Sequence, residues 1–458
     1  MAPTHAVVLG GGLAGMLSAS VLVRHFDEVT VVERDKLPDG PAPRSGVPQA
    51  RHAHLLMSGG ARAIESVLPG TLDALSAAGA HRIGVPDGLV SLSAQGWVPR
   101  FPEMQFIITC SRALLDWVVR SQAVRDAKFS VLTGTEPVSL LGDRDAVTGV
   151  VVEDRISQER TSLEADLVVD ATGRASRLPA WLAEFGLPEV PSESVDSGLA
   201  YATRIFRAPP AAAADFPIVN VQANPRDPHP GRTATLLPIE DGRWLVTLSG
   251  TRGGEPSTDE SEFVPFARSV RDPVVGELIA AAEPLSPVYG SHSTANRRHH
   301  FERLKAWPSG ILALGDSVAT YNPVYGHGMS IAAQSAVALD AGLAAGHGAA
   351  RIQRAVGEVV DGAWAMATNQ DILYPGAVGK PLSFGGRVVQ GYVDRLVRTA
   401  TTESAVTRAF LDAFTLSAPM GRLLRPRMVW ATLRGPRGMG AGEPTLTADE
   451  RSRVVSSE

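Results

Sequence analysis

Short apolar runs that lead into glycine turns recur along the first three quarters of the chain. Three of them are found at residues 7–9, 167–170 and 311–314. Continuous apolar runs of this length are typical of strands that are buried on both faces of a parallel sheet. The first turn is followed by apolar positions at helical spacing and then by another apolar run, at 29–32. This alternation predicts an α/β protein with a parallel sheet.

A second pattern occupies the middle of the chain. Four β-branched or aromatic segments recur at hairpin-like intervals, at residues 201–206, 218–222, 233–237 and 244–248. They predict a separate antiparallel sheet, which would cover a substrate. Its aromatic side chains either line a pocket or fill the core of this sheet, namely Trp97, Tyr201, Phe216 and Trp244. Residues 129–170 alternate apolar runs with turns and predict a β-meander.

The C-terminal residues have helical patterns. Helices are predicted around residues 363–370, 387–400 and 405–414, and the second has a single apolar face. Residues 435–458 are polar and interrupted by glycine and proline, which predicts a loose end.

The first glycine turn has the spacing of a dinucleotide-binding fingerprint. Gly10, Gly12 and Gly15 form Gly-x-Gly-x-x-Gly, with Leu13 and Ala14 inside it. The first glycine allows the tight turn, the second leaves room for a pyrophosphate, and the third lets the helix pack closely on the sheet. The free N–H groups of the helix then favour a bound phosphate.

An acidic residue follows the second strand at the distance that this fingerprint requires. Glu33 lies 18 residues beyond Gly15 and is placed to accept hydrogen bonds from both ribose hydroxyls. A carboxylate at this position repels a 2′-phosphate. The expected ligand is therefore FAD or NAD and not NADP.

A second constellation begins at the third strand. Gly315 and Asp316 follow this strand, and the loop that comes next contains Pro323, Gly326, His327, Gly328 and Met329 before a small-residue helix. An acid at a strand end can accept from a ribityl hydroxyl, and a Pro/Gly loop lets backbone N–H groups approach a flat ring. The pattern suits a flavin. We expect His327 to shape the loop rather than carry protons.

Two arginines and two histidines are further candidates. Arg112 lies in the first turn of a helix that Ser111 caps, where a cation opposes the helix dipole; it has either an anionic partner or a solvated surface position. Arg44 lies in a Pro/Gly-rich loop. His52 and His54 are two residues apart without a third ligand at suitable spacing, so local hydrogen bonding is expected in place of a metal site.

Composition narrows the class of protein. The 458 residues carry a net charge of −5 with scattered basic residues, which does not indicate nucleic-acid binding. Cys110 is the single cysteine and cannot form an intrachain disulfide, as suits a reducing cytoplasm. Neither a secretory signal nor an apolar stretch of about 20 residues is present, so we expect no transmembrane segment and a cytoplasmic location.

In the order of these motifs, residues 4–345 resemble the single-component FAD monooxygenases of the aromatic-hydroxylase fold. The resemblance implies that Glu33 contacts the adenosine ribose, that Arg112 and Arg44 lie near the pyrophosphate, and that Arg34 also contacts the cofactor. It places Asp316 at the ribityl chain and Gly328 and Met329 at the isoalloxazine edge. Val138 is included among the cofactor contacts. No catalytic side chain is expected, because the flavin carries the chemistry.

The implied fold is α/β, with a Rossmann-like FAD-binding domain, an antiparallel-sheet substrate domain and a C-terminal helical region. The FAD-binding domain would comprise residues 1–80, 104–180 and 292–345. The substrate domain would comprise residues 81–103 and 181–291, and the helical region residues 346–458.

One motif departs from the family pattern. The family has Asp-Gly-x-x-Ser where this chain has Thr172-Gly173-Arg174-Ala175-Ser176, so the aspartate is missing. This motif is associated with cofactor binding and nicotinamide access. There is also no second Gly-x-Gly-x-x-Gly to hold NAD(P)H. The expected reductant is therefore NAD(P)H, acting either directly and transiently or through a separate flavin reductase.

Several segments are similar to the epoxidases of polyether ionophore biosynthesis, of the lasalocid and monensin type. They are residues 46–54, 201–207, 238–244, 251–256 and 322–330. The similarity implies that a flavin C4a-hydroperoxide, formed with O2, epoxidises the alkenes of a linear polyene polyketide, and that an epoxide hydrolase acts downstream. The alternatives are an aromatic hydroxylase and a non-catalytic dinucleotide-binding protein. A halogenase is disfavoured because Trp-x-Trp-x-Ile-Pro is absent.

Overall fold

The computed structural model describes residues 3–292, 294–438 and 440–455. Its strands, in chain order, are β1 (His5–Leu9), β2 (Glu28–Glu33), β3 (Leu55–Met57), β4 (His81–Val85), β5 (Leu89–Ser93), β6 (Gly96–Trp97), β7 (Gln105–Thr109), β8 (Phe129–Thr133), β9 (Thr135–Gly142), β10 (Val147–Asp154), β11 (Arg160–Glu164), β12 (Leu167–Asp170), β13 (Ser192–Val195), β14 (Ala200–Arg207), β15 (Ile218–Val221), β16 (Arg232–Ile239), β17 (Arg243–Gly250), β18 (Tyr289–Ser291), β19 (Asn296–His299), β20 (Ile311–Ala313) and β21 (Ala319–Thr320).

The α-helices, in chain order, are α1 (Leu13–Leu22), α2 (Ser58–Val67), α3 (Thr71–Ala77), α4 (Arg112–Ala123), α5 (Leu178–Glu184), α6 (Glu260–Arg268), α7 (Val274–Ile279), α8 (Gly328–Ala344), α9 (Ala349–Asp371), α10 (Phe384–Ala400), α11 (Ser404–Phe414), α12 (Pro426–Arg434) and α13 (Ala448–Val455). In the described part of the chain, none is both long and apolar enough to cross a membrane.

A five-stranded parallel sheet forms the centre of the molecule, in the order β20-β12-β1-β2-β8. The three apolar runs that predicted buried parallel strands are β1, β12 and β20, and the prediction is confirmed. Because these strands are parallel neighbours, the turns that follow them meet at one edge of the sheet. A Cβ on Gly10 would lie 2.5 Å from the carbonyl oxygen of Ala171, and one on Gly315 would lie 2.6 Å from Ala14.

The second large sheet has seven strands in the order β18-β14-β17-β16-β15-β5-β6. Its strands β14 to β17 are the four predicted segments, and all pairs are antiparallel except β15 with β5. The rings of Phe216 and Trp244 are 4.9 Å apart in a core that also contains Trp97. These three aromatics therefore fill the core. Only Tyr201 of the four candidates reaches the cavity described below.

The predicted β-meander at 129–170 is wrong in one respect. Its first strand, β8, pairs in parallel with β2 and forms the edge of the central sheet. The following strands β9, β10 and β11 form a separate three-stranded antiparallel sheet. The local pattern predicts a strand at 129–133 but does not determine its partner, and here the open edge of β2 supplies it.

The C-terminal region is helical, as predicted: α9, α10 and α11 include the three expected segments and extend them. The prediction of a loose end from residue 435 onwards is wrong for α13, which begins with Asp449 and Glu450 in its first turn. Acidic side chains there favour the helix dipole, and Glu450 also pairs with Arg100 at 2.6 Å. Met439 and residues 456–458 of that stretch lie outside the described residues.

Candidate cofactor site

A cavity of about 490 Å³ opens where the turns after β1, β12 and β20 meet. Its other walls come from the segment before β3 and from the seven-stranded sheet, through Tyr201 and Ser291. Most of the predicted cofactor contacts line this one cavity: Gly10, Gly12, Leu13, Ala14, Glu33, Arg34, Arg44, Arg112, Asp316, Pro323, Gly326, Gly328 and Met329.

Two predicted contacts, Gly15 and Val138, do not line the cavity. A Cβ on Gly15 would collide with the carbonyl oxygen of Gly10, so this glycine allows α1 to pack on β1. Val138 lies in β9, and its neighbour Pro137 lines the cavity instead. Successive residues of a strand point to opposite sides, which accounts for the exchange.

Glu33 ends β2 as a buried carboxylate with three donors around it. Its Oε2 accepts from the backbone N–H of Gly11 at 2.7 Å and from Nη1 of Arg44 at 3.1 Å. Its Oε1 accepts from the backbone N–H of Asp35 at 2.9 Å. A carboxylate has about four acceptor sites, so capacity remains for a ribose hydroxyl.

Arg44 and Arg112, two of the arginines that line the cavity, share Asp116, which the sequence analysis missed. The Nε of Arg112 donates to Asp116 at 2.7 Å, and Nη2 of Arg44 lies 3.9 Å from the same carboxylate. The side chain of Arg44 is buried and that of Arg112 is only 12% exposed, which excludes the solvated surface position considered for Arg112. The i, i+4 spacing of Arg112 and Asp116 was the available signal.

Asp316 presents its carboxylate to the cavity. The side chain is accessible from the cavity, and within the described residues it has no hydrogen-bond partner. It nevertheless lies deep in the molecule, and this burial raises its pKa, while Arg112 and Arg174 act in the opposite direction. A Cβ on Gly328 would lie 4.0 Å from its Oδ1, so this carboxylate adjoins the start of α8.

Two helix N-termini open onto the cavity without side-chain caps. Gly12 precedes α1 and has no side chain that could cap it. His327 precedes α8, and its side chain does not cap that helix. The N–H groups of these first turns are left for a ligand, and the positive helix ends favour phosphate oxygens or flavin carbonyls. The Nε of Arg44, also at the cavity, is buried without a hydrogen-bond partner in the described structure. These residues fit FAD.

The middle motif at residues 172–176 lacks the aspartate of the family pattern, and a different aspartate holds it in place. Asp170 ends β12 and accepts from the hydroxyl groups of Thr172 and Ser176, both at 2.5 Å. Ser317, from the third turn, donates to Asp170 at 3.3 Å and accepts from the N–H of Gly173 at 2.9 Å. Asp170 was visible as a strand-end acid, but its link to Ser317 depends on the sheet order.

Of the two neighbouring histidines, His54 makes the expected local hydrogen bond, whereas His52 bonds to a residue that is distant in the sequence. Nδ1 of His52 lies 2.8 Å from the Thr203 hydroxyl, and Nδ1 of His54 donates to the carbonyl oxygen of His52 at 2.8 Å. Burial lowers the pKa of each to about 4, with nearby Arg112 contributing for His54. Both imidazoles are therefore neutral near pH 7, and His54 has an unprotonated Nε2.

His327 lies in the loop at residues 322–327 and links this loop to the C-terminal helical region. Its Nε2–H donates to the carbonyl oxygen of Phe414, the last residue of α11, at 2.9 Å. Burial lowers the pKa of His327 to about 4, so the ring is neutral. The contact gives His327 a role in holding the loop, in agreement with its expected part in shaping it.

Asp371, the last residue of α9, holds the other end of this loop and was also missed. It accepts from the Tyr325 hydroxyl at 2.7 Å and from the amide groups of Asn296 and Asn322 at 2.6 and 2.8 Å. Asn322 in turn accepts from the Tyr201 hydroxyl at 3.1 Å. Burial raises the pKa of Asp371, and these donors oppose the rise. Nothing in the local sequence marks Asp371 as part of this network.

Two known proteins are similar to this chain over most of its length. The chain is 32% identical to Protein Rv3254 of Mycobacterium tuberculosis over 428 residues, 90% of this chain and 89% of the relative. It is 29% identical to a kynurenine 3-monooxygenase of Salinispora tropica over 348 residues, 73% and 71% of the two chains.

Among solved structures, a flavoprotein/dehydrogenase from Cytophaga hutchinsonii is similar with a TM-score of 0.64 and 15% identity, over 94% of this chain and 96% of the other. PqsL of Pseudomonas aeruginosa is similar with a TM-score of 0.56 and 21% identity, over 90% and 100%. A family model described as the FAD binding domain matches residues 3–354. The chain therefore belongs to the FAD binding domain family and has the fold of the aromatic-hydroxylase-like flavin monooxygenases.

Proposed function

We propose that this flavin monooxygenase epoxidises the alkenes of a linear polyketide polyene. The observation that supports this most is the meeting of three segments with polyether-epoxidase similarity, 46–54, 201–207 and 322–330, at one cavity. His52 of the first segment bonds to Thr203 of the second, and Tyr201 of the second bonds to Asn322 of the third. A substrate bound there would contact all three.

The cofactor contacts are part of the same proposal. The N-termini of α1 and α8 would hold the pyrophosphate and the ring system, and Glu33 and Asp316 would accept from ribose and ribityl hydroxyls. Arg44 and Arg112 would neutralise the phosphates. When bound and reduced, FAD supplies oxygen activation for electrophilic transfer. NAD(P)H would provide the electrons, either directly or through a separate flavin reductase.

The acid–base character of the cavity favours a substrate that loses no proton. His52, His54 and His327 line the cavity, and their pKa values near 4 make them weak bases at neutral pH. A phenol benefits from a base that ionises it, whereas an alkene is epoxidised without proton loss. The chain then has to orient the alkene and exclude water.

The cavity wall beside the loop at residues 322–327 offers both apolar and polar contacts. Ala53 and Leu55 line it beside Tyr201, Ser291 and Thr294. Such a mixed wall suits a polyketide, in which oxygen functions alternate with alkenes and alkyl branches. The epoxide product would be consumed by an epoxide-opening step, for which an epoxide hydrolase is the proposed partner.

Aromatic hydroxylation is the second candidate. It is favoured by the similarity to a kynurenine 3-monooxygenase over about three quarters of the chain. Both reactions add one oxygen atom, but epoxidation converts a double bond into a three-membered oxygen ring, whereas aromatic hydroxylation places a new hydroxyl group on the ring.

The test is a single-turnover experiment with labelled oxygen. The FAD-loaded protein is reduced without air and then mixed with ¹⁸O₂ and either a polyene with isolated trisubstituted alkenes or a simple phenol. We expect label in the polyene, and slower reaction of electron-poor alkenes because the transferred oxygen is electrophilic. Efficient labelling of the phenol beside an untouched polyene would replace epoxidation by aromatic hydroxylation.

A further inference from the structure

Exposed apolar side chains are concentrated in the C-terminal region. Within the described residues, eight large apolar side chains are more than half exposed, and seven of them lie between residues 378 and 433. Six of these seven belong to α10, α12 and the short helix Met420–Leu424: Phe384, Val388, Val389, Leu424, Trp430 and Leu433. Together with Arg425, Arg427 and Arg434 they are called the basic-apolar surface.

The elements that carry this surface are fastened to one another. Nε of Arg395, on α10, donates to the carbonyl oxygen of Thr432, on α12, at 2.8 Å. The hydroxyl of Tyr392 donates to the carbonyl oxygen of Leu423, in the short helix, at 2.6 Å. The three elements therefore form one packed unit, on which these exposed side chains lie.

Helix α12 combines the apolar and basic character on one side. Arg427, Trp430 and Arg434 are spaced by three and four residues, so they share a face, while Thr432 is buried against α10. The guanidinium of Arg434 lies 4.0 Å from the centre of the Trp430 ring. An exposed indole between arginines is typical of helices that lie at a lipid headgroup boundary.

The net charge of residues 378–437 is opposite in sign to that of the rest of the chain. Residues 378–437 contain ten Lys or Arg and three Asp or Glu, a net charge of +7, so the remainder of a chain with a total charge of −5 carries −12. The three acids are already paired, Asp394 with Arg226, Asp412 with Arg422 and Glu403 with Arg437. In the described structure Arg425 and Arg427 have no acidic partner, so their charge is available to an anionic surface.

We propose that the basic-apolar surface docks this protein onto an anionic lipid bilayer. Phe384, Trp430 and Leu433 would enter the headgroup–acyl boundary, and the arginines would contact lipid phosphates. Since no described helix can span a bilayer, the attachment is to its surface. The inference is independent of which substrate is oxidised.

Two other occupants fit the surface less well. A second copy that used the same surface would bring two regions of charge +7 together, which is repulsive. An acidic protein would satisfy the charge, but the apolar side chains project from separate helices, and a rigid partner would need a matching pocket for each. A fluid bilayer accepts protruding side chains without such complementarity.

The test is cosedimentation of the FAD-loaded full chain with vesicles, either of phosphatidylcholine alone or with phosphatidylglycerol added. We expect binding to the anionic vesicles only, and loss of binding at high salt. Trp430→Ser and Phe384→Ser should each weaken partitioning about tenfold, because each removes a large inserted side chain. Ile156→Ser is the matched control, since Ile156 is 80% exposed but lies outside the surface, and it should bind as the unaltered chain does.

Because the altered side chains are exposed, flavin content and circular dichroism should be unchanged in all three variants. Absence of binding to anionic vesicles would overturn the proposal, as would an equal loss in the Ile156→Ser variant. A dimer in sedimentation velocity that Trp430→Ser dissociates, without vesicle binding, would assign the surface to a second copy instead.

Discussion

The hydroxyl of Tyr325 donates a hydrogen bond of 2.7 Å to Asp371, and this bond joins the loop at residues 322–327 to the end of α9. Asp371 is 1% exposed, and its other two partners, Asn296 and Asn322, also donate to it. Asn296 accepts from the N–H of Asn322 through its own oxygen, which orients its amide. The two asparagine amides therefore require an acceptor oxygen at position 371, and an ionised carboxylate accepts from all three donors.

Asp371→Ala should destabilise the protein and weaken FAD binding. The change leaves three donors without their acceptor, and each buried unsatisfied donor costs about 1–3 kcal/mol, so we expect a loss of about 3 kcal/mol or more in the free energy of unfolding. Asp371→Asn keeps an oxygen for both asparagines and can donate to the Tyr325 hydroxyl, so most of the stability should return. Urea unfolding and flavin titration measure both effects, and equal losses in the two variants would contradict the network.

Asp316→Ala should lower FAD affinity without lowering stability. The carboxylate faces the cavity and makes no hydrogen bond within the described residues, so its removal leaves the fold intact. A lost hydrogen bond to a charged acceptor costs about 1.5–3 kcal/mol, roughly a tenfold to hundredfold increase in Kd. Flavin fluorescence titration gives the Kd. Asp145→Ala, at an acid that is 89% exposed, is the control, and the same Kd for both variants would remove Asp316 from the site.

Glu33→Gln should weaken FAD binding about tenfold. The amide keeps one acceptor oxygen, but its NH2 group turns a donor toward the N–H of Gly11 or of Asp35, and the ion pair with Arg44 is lost. The measurement is again a flavin titration, with the exposed Glu159→Gln as control. Unchanged affinity in the Glu33 variant would mean that the ribose is bound elsewhere.

His327 should make stability fall as the pH falls from about 6.5 toward 4. Its pKa is about 4 in the folded chain and near 6.5 when unfolded, so the unfolded chain binds more protons in this window. The free energy of unfolding should lose about 1.4 kcal/mol per pH unit from this group. His52 and His54, with similar pKa values, act in the same window, so the difference between the unaltered chain and His327→Gln isolates His327.

The same variant tests the role of His327 in the reaction. A glutamine can also donate to the carbonyl oxygen of Phe414, so the loop should keep its shape and the oxidation rate should fall much less than a hundredfold. A larger loss with intact FAD binding is the range of general acid–base removal and would give His327 a proton-transfer role. An identical pH dependence of stability in both proteins would contradict its assignment as a buried neutral imidazole.

The sequence alone identified the three buried strands whose ends meet at the cavity, the four segments of the antiparallel sheet and most of the predicted cofactor contacts that line the cavity. Gly10, Glu33 and Asp316 are recognisable because each lies at or just after the end of an apolar strand. Apolar runs and turn residues are local features of the sequence, so they indicate where a strand ends. Three parallel strand ends then had to meet at one edge, which brought distant motifs together.

Only the tertiary structure decided which distant side chains complete the site. Asp170 meets Ser317 across 147 residues, and Asp371 meets Asn322 across 49, through contacts that depend on sheet order and helix placement. The same holds for Trp97 and Trp244, because alternation along a strand separates two faces without determining which face is the core. Burial against α6 and α7 made that choice, and of the four candidate aromatics it left Tyr201 at the cavity.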